Sequence, residues 1–210
     1  MPFRYMLRGA SFSVRRYFGP HFAFMAGPRS WPTIEPLCKF EHPRQIRIGE
    51  AVRFLRGAVL LADHNGPIEI GSHTAICRFA VIQAAGGSVA IGQRACVGDF
   101  CSLYGQGGLR IGDDVMIASD VRIVPNKHTF AEPDLPISAQ ASTSVGIDIG
   151  DGVWVGTNAV ILDGVTIGHG AIVGAGAVVN RSVPAGAIVG GVPSRILRYR
   201  PGFSEVDTKI

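Results

Sequence analysis

An aliphatic residue followed by glycine or another small residue recurs every six positions through most of the chain. The unbroken run is Ile149-Gly150, Val155-Gly156, Ile161-Leu162, Ile167-Gly168, Val173-Gly174 and Val179-Asn180. The same register reappears upstream at Ile111, Ile117 and Ile123, at Ile91, Val97 and Leu103, at Ile70, Ile76 and Ile82, and at Ile48, Phe54 and Leu60. A second inward position lies two residues before such aliphatics, as at Ala95, Cys101, Val121, Ala159, Val165, Ala171 and Ala177. A period of six fits neither a helix nor a continuous strand. It describes a short strand, a corner and the next short strand, with glycine expected at the corner because it tolerates positive φ. Three sides close a coil of about eighteen residues, and about six coils stacked about 4.8 Å apart make a triangular prism roughly 30 Å long. Composition agrees, because 28 glycines and only 8% aromatics suit a thin repeated core better than a layered one.

The departures from the period carry further information. The aliphatics group in threes, and every surplus of residues falls after a third member. All insertions are therefore expected at one corner of the triangle, stacked along one edge of the prism. They contain Asp63-His64-Asn65-Gly66, Gly86-Gly87, Gly105-Gln106-Gly107-Gly108 and the long segment from Val124 to Val145. Insertions gathered on one edge of a solenoid mark its binding face.

The long insertion reads Pro125-Asn126-Lys127-His128-Thr129-Phe130-Ala131-Glu132-Pro133-Asp134-Leu135-Pro136 before it continues to Val145. Long loops on rigid scaffolds usually carry function. Its one histidine, His128, has the chemistry of a general base, because a neutral imidazole can take a hydroxyl proton near pH 7 and return it to a leaving group. The other histidines, His21, His42, His64, His73 and His169, offer no close partner for a three-histidine zinc site with His128, and the cysteines show no metal-ligand spacing. No metal is expected. Cys38, Cys77, Cys96 and Cys101 read as reduced thiols of a cytoplasmic protein. The net charge of +4 suits an anionic small ligand better than nucleic acid.

With these residues in view, the chain resembles the hexapeptide-repeat acyltransferases, and within them the sugar and polysaccharide O-acetyltransferases of the galactoside and maltose type. The resemblance rests on Asn126-Lys127-His128-Thr129-Phe130, Val153-Trp154-Val155-Gly156, Gly164-Val165-Thr166-Ile167-Gly168, Gly174-Ala175-Gly176-Ala177-Val178-Val179 and Gly190-Gly191-Val192-Pro193-Ser194-Arg195. It covers roughly Gly98 to Arg198, and the earlier coils by pattern only. It implies an all-β, left-handed parallel β-helix, acetyl-CoA as acyl donor, a homotrimer, and a small-molecule or glycan acceptor. His128 takes the place of the catalytic histidine. The CoA contacts fall on Thr157, Ala175, Asn180, Arg181, Arg195 and Arg198, with arginine forks suited to phosphate. Two departures stand out: Asn180-Arg181 replaces a threonine-lysine pair, and Gly98 replaces an asparagine that binds the acceptor. Asp99, Tyr104 and Gln106 are the acceptor contacts expected instead, and Trp154 is expected beside the long loop.

The expected organisation is an N-terminal segment over residues 1–43 covering the first coil, the β-helix over 44–185 with its extended loop at 124–145, and a tail over 186–210. The basic segment from Met1 to Arg29 either touches a membrane-bound glycolipid or simply covers the prism. The expected function is transfer of an acetyl group to a hydroxyl of a sugar or polysaccharide precursor. The alternatives are an acetyltransferase for an amino sugar or other small acceptor, and a non-catalytic β-helix scaffold.

Overall fold

The computed structural model describes residues 23–24 and 31–204. Short parallel strands build three sheets that form the sides of a triangular prism. The first face contains Ala23–Phe24, Ile46–Ile48, Ile68–Ile70, Val89–Ile91, Leu109–Ile111, Ile147–Ile149 and Thr166–Ile167. The second contains Thr33–Ile34, Arg53–Phe54, Ala75–Ile76, Cys96–Val97, Met116–Ile117, Trp154–Val155, Ile172–Val173 and Ala187–Gly190. The third contains Lys39–Glu41, Val59–Leu61, Val81–Gln83, Ser102–Tyr104, Arg122–Val124, Val160–Leu162 and Val178–Val179. Successive coils give strands to each face, so the parallel strands find their hydrogen-bonding partners one coil away in the sequence, as in Ile91↔Ile111 and Ile161↔Val179.

The sheets run further toward the N terminus than the repeat does. Ala23–Phe24, Thr33–Ile34 and Lys39–Glu41 add a coil before the six that the aliphatic register marks. Its polar and aromatic residues keep no aliphatic period, so the pattern did not reveal it. Residues 1–22 and 25–30 of the expected N-terminal cover, and residues 205–210, lie outside the described residues.

The repeating aliphatics point into the bore and are buried throughout, from Ile48 and Phe54 to Val173 and Val179. The smaller residues two positions earlier, such as Ala95, Val121, Ala159 and Ala177, are buried beside them. Near the N-terminal end Phe54 fills the bore with Phe40 packed edge-on at 5.1 Å. Truncating one of these core aliphatics to alanine costs about 2–5 kcal/mol, because close-packed coils cannot collapse to fill the hole.

The repeat glycines do not serve the purpose expected of them. Gly71, Gly92, Gly98, Gly112, Gly150, Gly156, Gly168 and Gly174 are absent from the positive-φ residues. They are small because the next coil presses on them: a Cβ on Gly71 would stand 2.4 Å from the Gly92 carbonyl carbon. Positive φ falls instead two residues later, at the corner itself. It is taken there by Ala51, His73, Arg94, Asp114 and Gly152 on one edge, and by Leu37, Gly57, Phe79, Phe100, Asp120 and Asn158 on the next.

The outer side of the first face is polar, with Arg47 on Glu69 at 2.8 Å and Arg110 forked onto Asp148 at 2.7 and 2.5 Å. Such exposed pairs contribute little stability. At the C-terminal end Arg195–Tyr199 turns back antiparallel to Ala187–Gly190. Phe203 then lies over Gly170 and Gly186, and the Arg200 guanidinium donates to the Gly170 carbonyl at 2.8 Å.

Candidate active site

Every insertion emerges where the third face passes to the first face of the following coil, and the insertions hold one another. The Gly86 amide donates to Asp63 Oδ2 at 2.7 Å, the Ser88 amide to the Gly105 carbonyl at 3.1 Å, and the Gly164 amide to the Gly146 carbonyl at 2.9 Å. The close approach of these backbones requires residues without side chains. A Cβ on Gly87 would stand 1.9 Å from the Gly105 oxygen, and Gly107, Gly108, Gly146 and Gly164 all take positive φ.

The long insertion is a braced arm rather than a slack loop. Lys127–His128 pairs antiparallel with Ser142–Thr143. The Thr129 amide and hydroxyl both donate to the Ala141 carbonyl, at 2.8 and 2.9 Å. At the tip the Gln140 amide group donates to the carbonyls of Glu132 and Leu135, each at 3.0 Å. At the base Asp163 Oδ1 accepts the amides of Val145 and Gly146 at 2.7 and 3.0 Å. His128 is exposed on this arm, and among the described residues its imidazole has no hydrogen-bond partner. Both ring nitrogens are thus available to a ligand. The bracing residues Gln140 and Asp163 were not singled out in the sequence, where only the interruption of the repeat marks the arm.

A groove of about 460 Å³ opens beside the arm's exit, lined among others by Gly107, Gly108, Arg110, Val145, Asp148 and Thr166. A single chain therefore offers some concavity at this edge. Tyr104 and Gln106 share this corner, and Gln106 Oε1 is buried without a partner. Asp99 does not join them. It sits one face away, at the corner between second and third faces, and accepts the Arg78 amide at 2.8 Å.

The residues expected to hold CoA divide among three places. Thr157 and Ala175 are exposed and stacked on successive coils at the corner between second and third faces, where the Gly176 amide donates to the Thr157 carbonyl at 2.8 Å. Asn180 and Arg181 are exposed at the end of the last third-face strand, at the histidine's corner. Arg195 and Arg198 are exposed on the returning strand that extends the second face. Trp154 also faces outward from the second face, 48% exposed. It is in register with Met116 and Ile172, on the side of the triangle opposite the arm, and so does not pack beside the loop. One side of about six residues spans about 20 Å, so within one chain Thr157 and Ala175 stand a full face away from the His128 corner.

Among the described residues no group of three or more His, Cys, Asp and Glu side chains comes together as a metal site. No helix among them is long and apolar enough to cross a membrane.

Comparison with known proteins agrees with this architecture. Residues 146–181 match the family described as bacterial transferase hexapeptide (six repeats). WbbJ of Escherichia coli (strain K12), assigned to O-acetyl transfer in lipopolysaccharide biosynthesis, is 31% identical over 109 residues, which are 49% of this chain and 56% of that protein. Nodulation protein L of Rhizobium meliloti (strain 1021) is 43% identical over 113 residues, 53% of this chain and 60% of that protein. The chain thus spans somewhat over half the length of these two curated relatives. A point mutant of AntD, an N-acyltransferase from Bacillus cereus in complex with dTDP and coenzyme A, has a TM-score of 0.64 at 21% identity, covering 91% of this chain and 89% of that one. At that identity the likeness is one of fold, and the fold is the left-handed parallel β-helix.

Proposed function

From a chain that resembles the hexapeptide-repeat acyltransferases in sequence and has their fold, we propose an acyltransferase that moves an acetyl group from acetyl-CoA to a hydroxyl of a sugar or polysaccharide precursor. His128 is the general base. The observation that carries this reading is the unpartnered imidazole on a braced arm, at the corner where the insertions and the groove converge.

The chemistry follows from that placement. The neutral His128 imidazole takes the acceptor's proton as its oxygen attacks the thioester carbonyl. The tetrahedral intermediate collapses, the C–S bond breaks, and the imidazolium returns the proton to the CoA thiolate. Thr157 and Ala175, one above the other, offer successive backbone groups to an extended pantetheine arm. Asn180, Arg181, Arg195 and Arg198 supply donors and positive charge for the nucleotide and its phosphates. Tyr104 and Gln106 contact the acceptor from the histidine's corner.

Because the expected donor contacts lie mostly a face away from His128, the complete site forms between copies in a homotrimer. Acetyl-CoA is a cytoplasmic metabolite, so the reaction is assigned to that compartment. The decisive experiment measures CoA thiol release from acetyl-CoA against a panel of sugars, nucleotide sugars, amino sugars and small alcohols. A sugar hydroxyl should give the fastest release, and His128→Ala should lower turnover roughly 10²–10⁴-fold while the fold is kept. Near wild-type turnover in a folded His128→Ala protein would remove the histidine from this role. Release with amines alone would shift the reaction to N-acetylation, and no release with any acceptor would leave a scaffold.

A further inference from the structure

The coil stacking brings two cysteines together on the second face, the side opposite the His128 corner. Cys96 opens the strand Cys96–Val97, and Cys77 directly follows Ala75–Ile76 on the preceding coil. Their sulfurs are 3.8 Å apart, and both residues are half-buried, within reach of solvent. The two remaining thiols differ. Cys101 is buried and donates to the Ala118 carbonyl at 3.0 Å, and Cys38 donates to the Leu55 carbonyl at 3.2 Å. Only Cys77 and Cys96 are satisfied by one another.

We propose that Cys77 and Cys96 form a two-thiolate clamp for a soft closed-shell cation, with monovalent copper the preferred ion. Two sulfurs bound about 2.3 Å from one ion lie about 4.0 Å apart at the trigonal angle of a three-coordinate site. The observed 3.8 Å is close to that bite, so the pair needs little rearrangement to chelate. Thiolate donors select soft ions such as Cu(I). Zinc prefers four protein ligands in a structural site. Among the described residues no third His, Cys, Asp or Glu completes a cluster here. An ion content with three soft donors fits better, with a small thiol in the third position. Binding breaks two S–H bonds, forms two Cu–S bonds and releases both protons to water, with no change of oxidation state.

The surroundings favour this exchange. The Arg53 guanidinium and the Asp99 carboxylate both lie near the pair. A bis-thiolate cuprous complex carries one negative charge, which Arg53 offsets.

The test uses the full chain, reduced and free of oxygen, titrated with Cu(I) held by the coloured chelator bicinchoninate. The wild type should withdraw one copper per chain. Cys77→Ser and Cys96→Ser should each weaken binding by at least the roughly 10–100-fold that even outer-sphere changes cost. Cys101→Ala should leave it unchanged. A wild type that removes no copper, or serine variants that remove as much as the wild type, would overturn the clamp. An independent readout needs no substitution. Bound Cu(I) should shield Cys77 and Cys96 from iodoacetamide, as read by peptide mass, and alkylation of both at an undiminished rate would also overturn it.

Discussion

A Cβ on Gly98 would stand 2.5 Å from the carbonyl carbon of Ala118 on the next coil. The asparagine that the sugar acetyltransferases place there would therefore force the two coils apart. In the proposed reaction the acceptor would be met by other side chains, and Tyr104 and Gln106 are the expected ones that share the histidine's corner. The donor side depends on single residues in a different way. Arg195 is exposed, and among the described residues its guanidinium donates only to the Ser194 carbonyl next to it, at 2.9 Å. It is thus free to turn toward a phosphate at small cost. Losing a charge-assisted hydrogen bond costs about 1.5–3 kcal/mol, so Arg195→Ala should raise the KM for acetyl-CoA roughly 10–100-fold with a smaller effect on kcat. With acetyl-pantetheine, which lacks the nucleotide, the variant and wild type should perform alike. If the variant keeps the wild-type preference for the full cofactor, Arg195 is not at the site.

At the level of the element, the arm carrying His128 depends on the turn that follows Val160–Leu162. Asp163 in that turn holds the arm's exit through two amides, while its second oxygen is buried without a partner. Asp163→Ala removes the two hydrogen bonds that hold the Val145 and Gly146 amides, at a cost of about 1–3 kcal/mol. The arm should become protease-sensitive between residues 124 and 146, and kcat should fall several-fold with little change in KM for acetyl-CoA. Asp163→Asn keeps an accepting oxygen and should restore most of both. Unchanged proteolysis in Asp163→Ala would show that the arm is held by its own ladder alone. This element also marks how far the sequence could be read. The aliphatic register located the strands of six coils and the corner of every insertion, because each inward position must be filled at each turn. It did not reveal the coil before Ile46, where Thr33, Lys39 and Phe40 keep no period. Nor did it reveal the partners of Asp163 or the Cys77–Cys96 contact. Those contacts depend on insertion lengths that set which residues of successive coils lie side by side, and a spacing of 19 between two cysteines matches no familiar local motif. The purpose of the repeat glycines was likewise hidden, because close approach and positive φ select the same residue.

For the whole molecule, the separation of the His128 corner from Thr157 and Ala175 gives the proposed assembly a direct test. Two inactive proteins, His128→Ala and the donor-blocking Ala175→Trp, should regain activity when their subunits are mixed by denaturation and refolding. In the proposed homotrimer, where cyclic symmetry would set each histidine against a neighbour's donor groups, random mixing should restore up to roughly a quarter of wild-type activity. Mixed trimers, verified by mass, that stay inactive would assign a complete site to each chain. The returning strand Arg195–Tyr199 has a consequence at this scale as well. A solenoid that ended on a parallel strand would offer the start of another coil a ready template, and copies would be able to add end to end into a filament. Here the last strand runs the opposite way, and Phe203 covers the two glycine corners behind it. At that end of the second face, the next copy would therefore meet an antiparallel strand rather than a template for another coil.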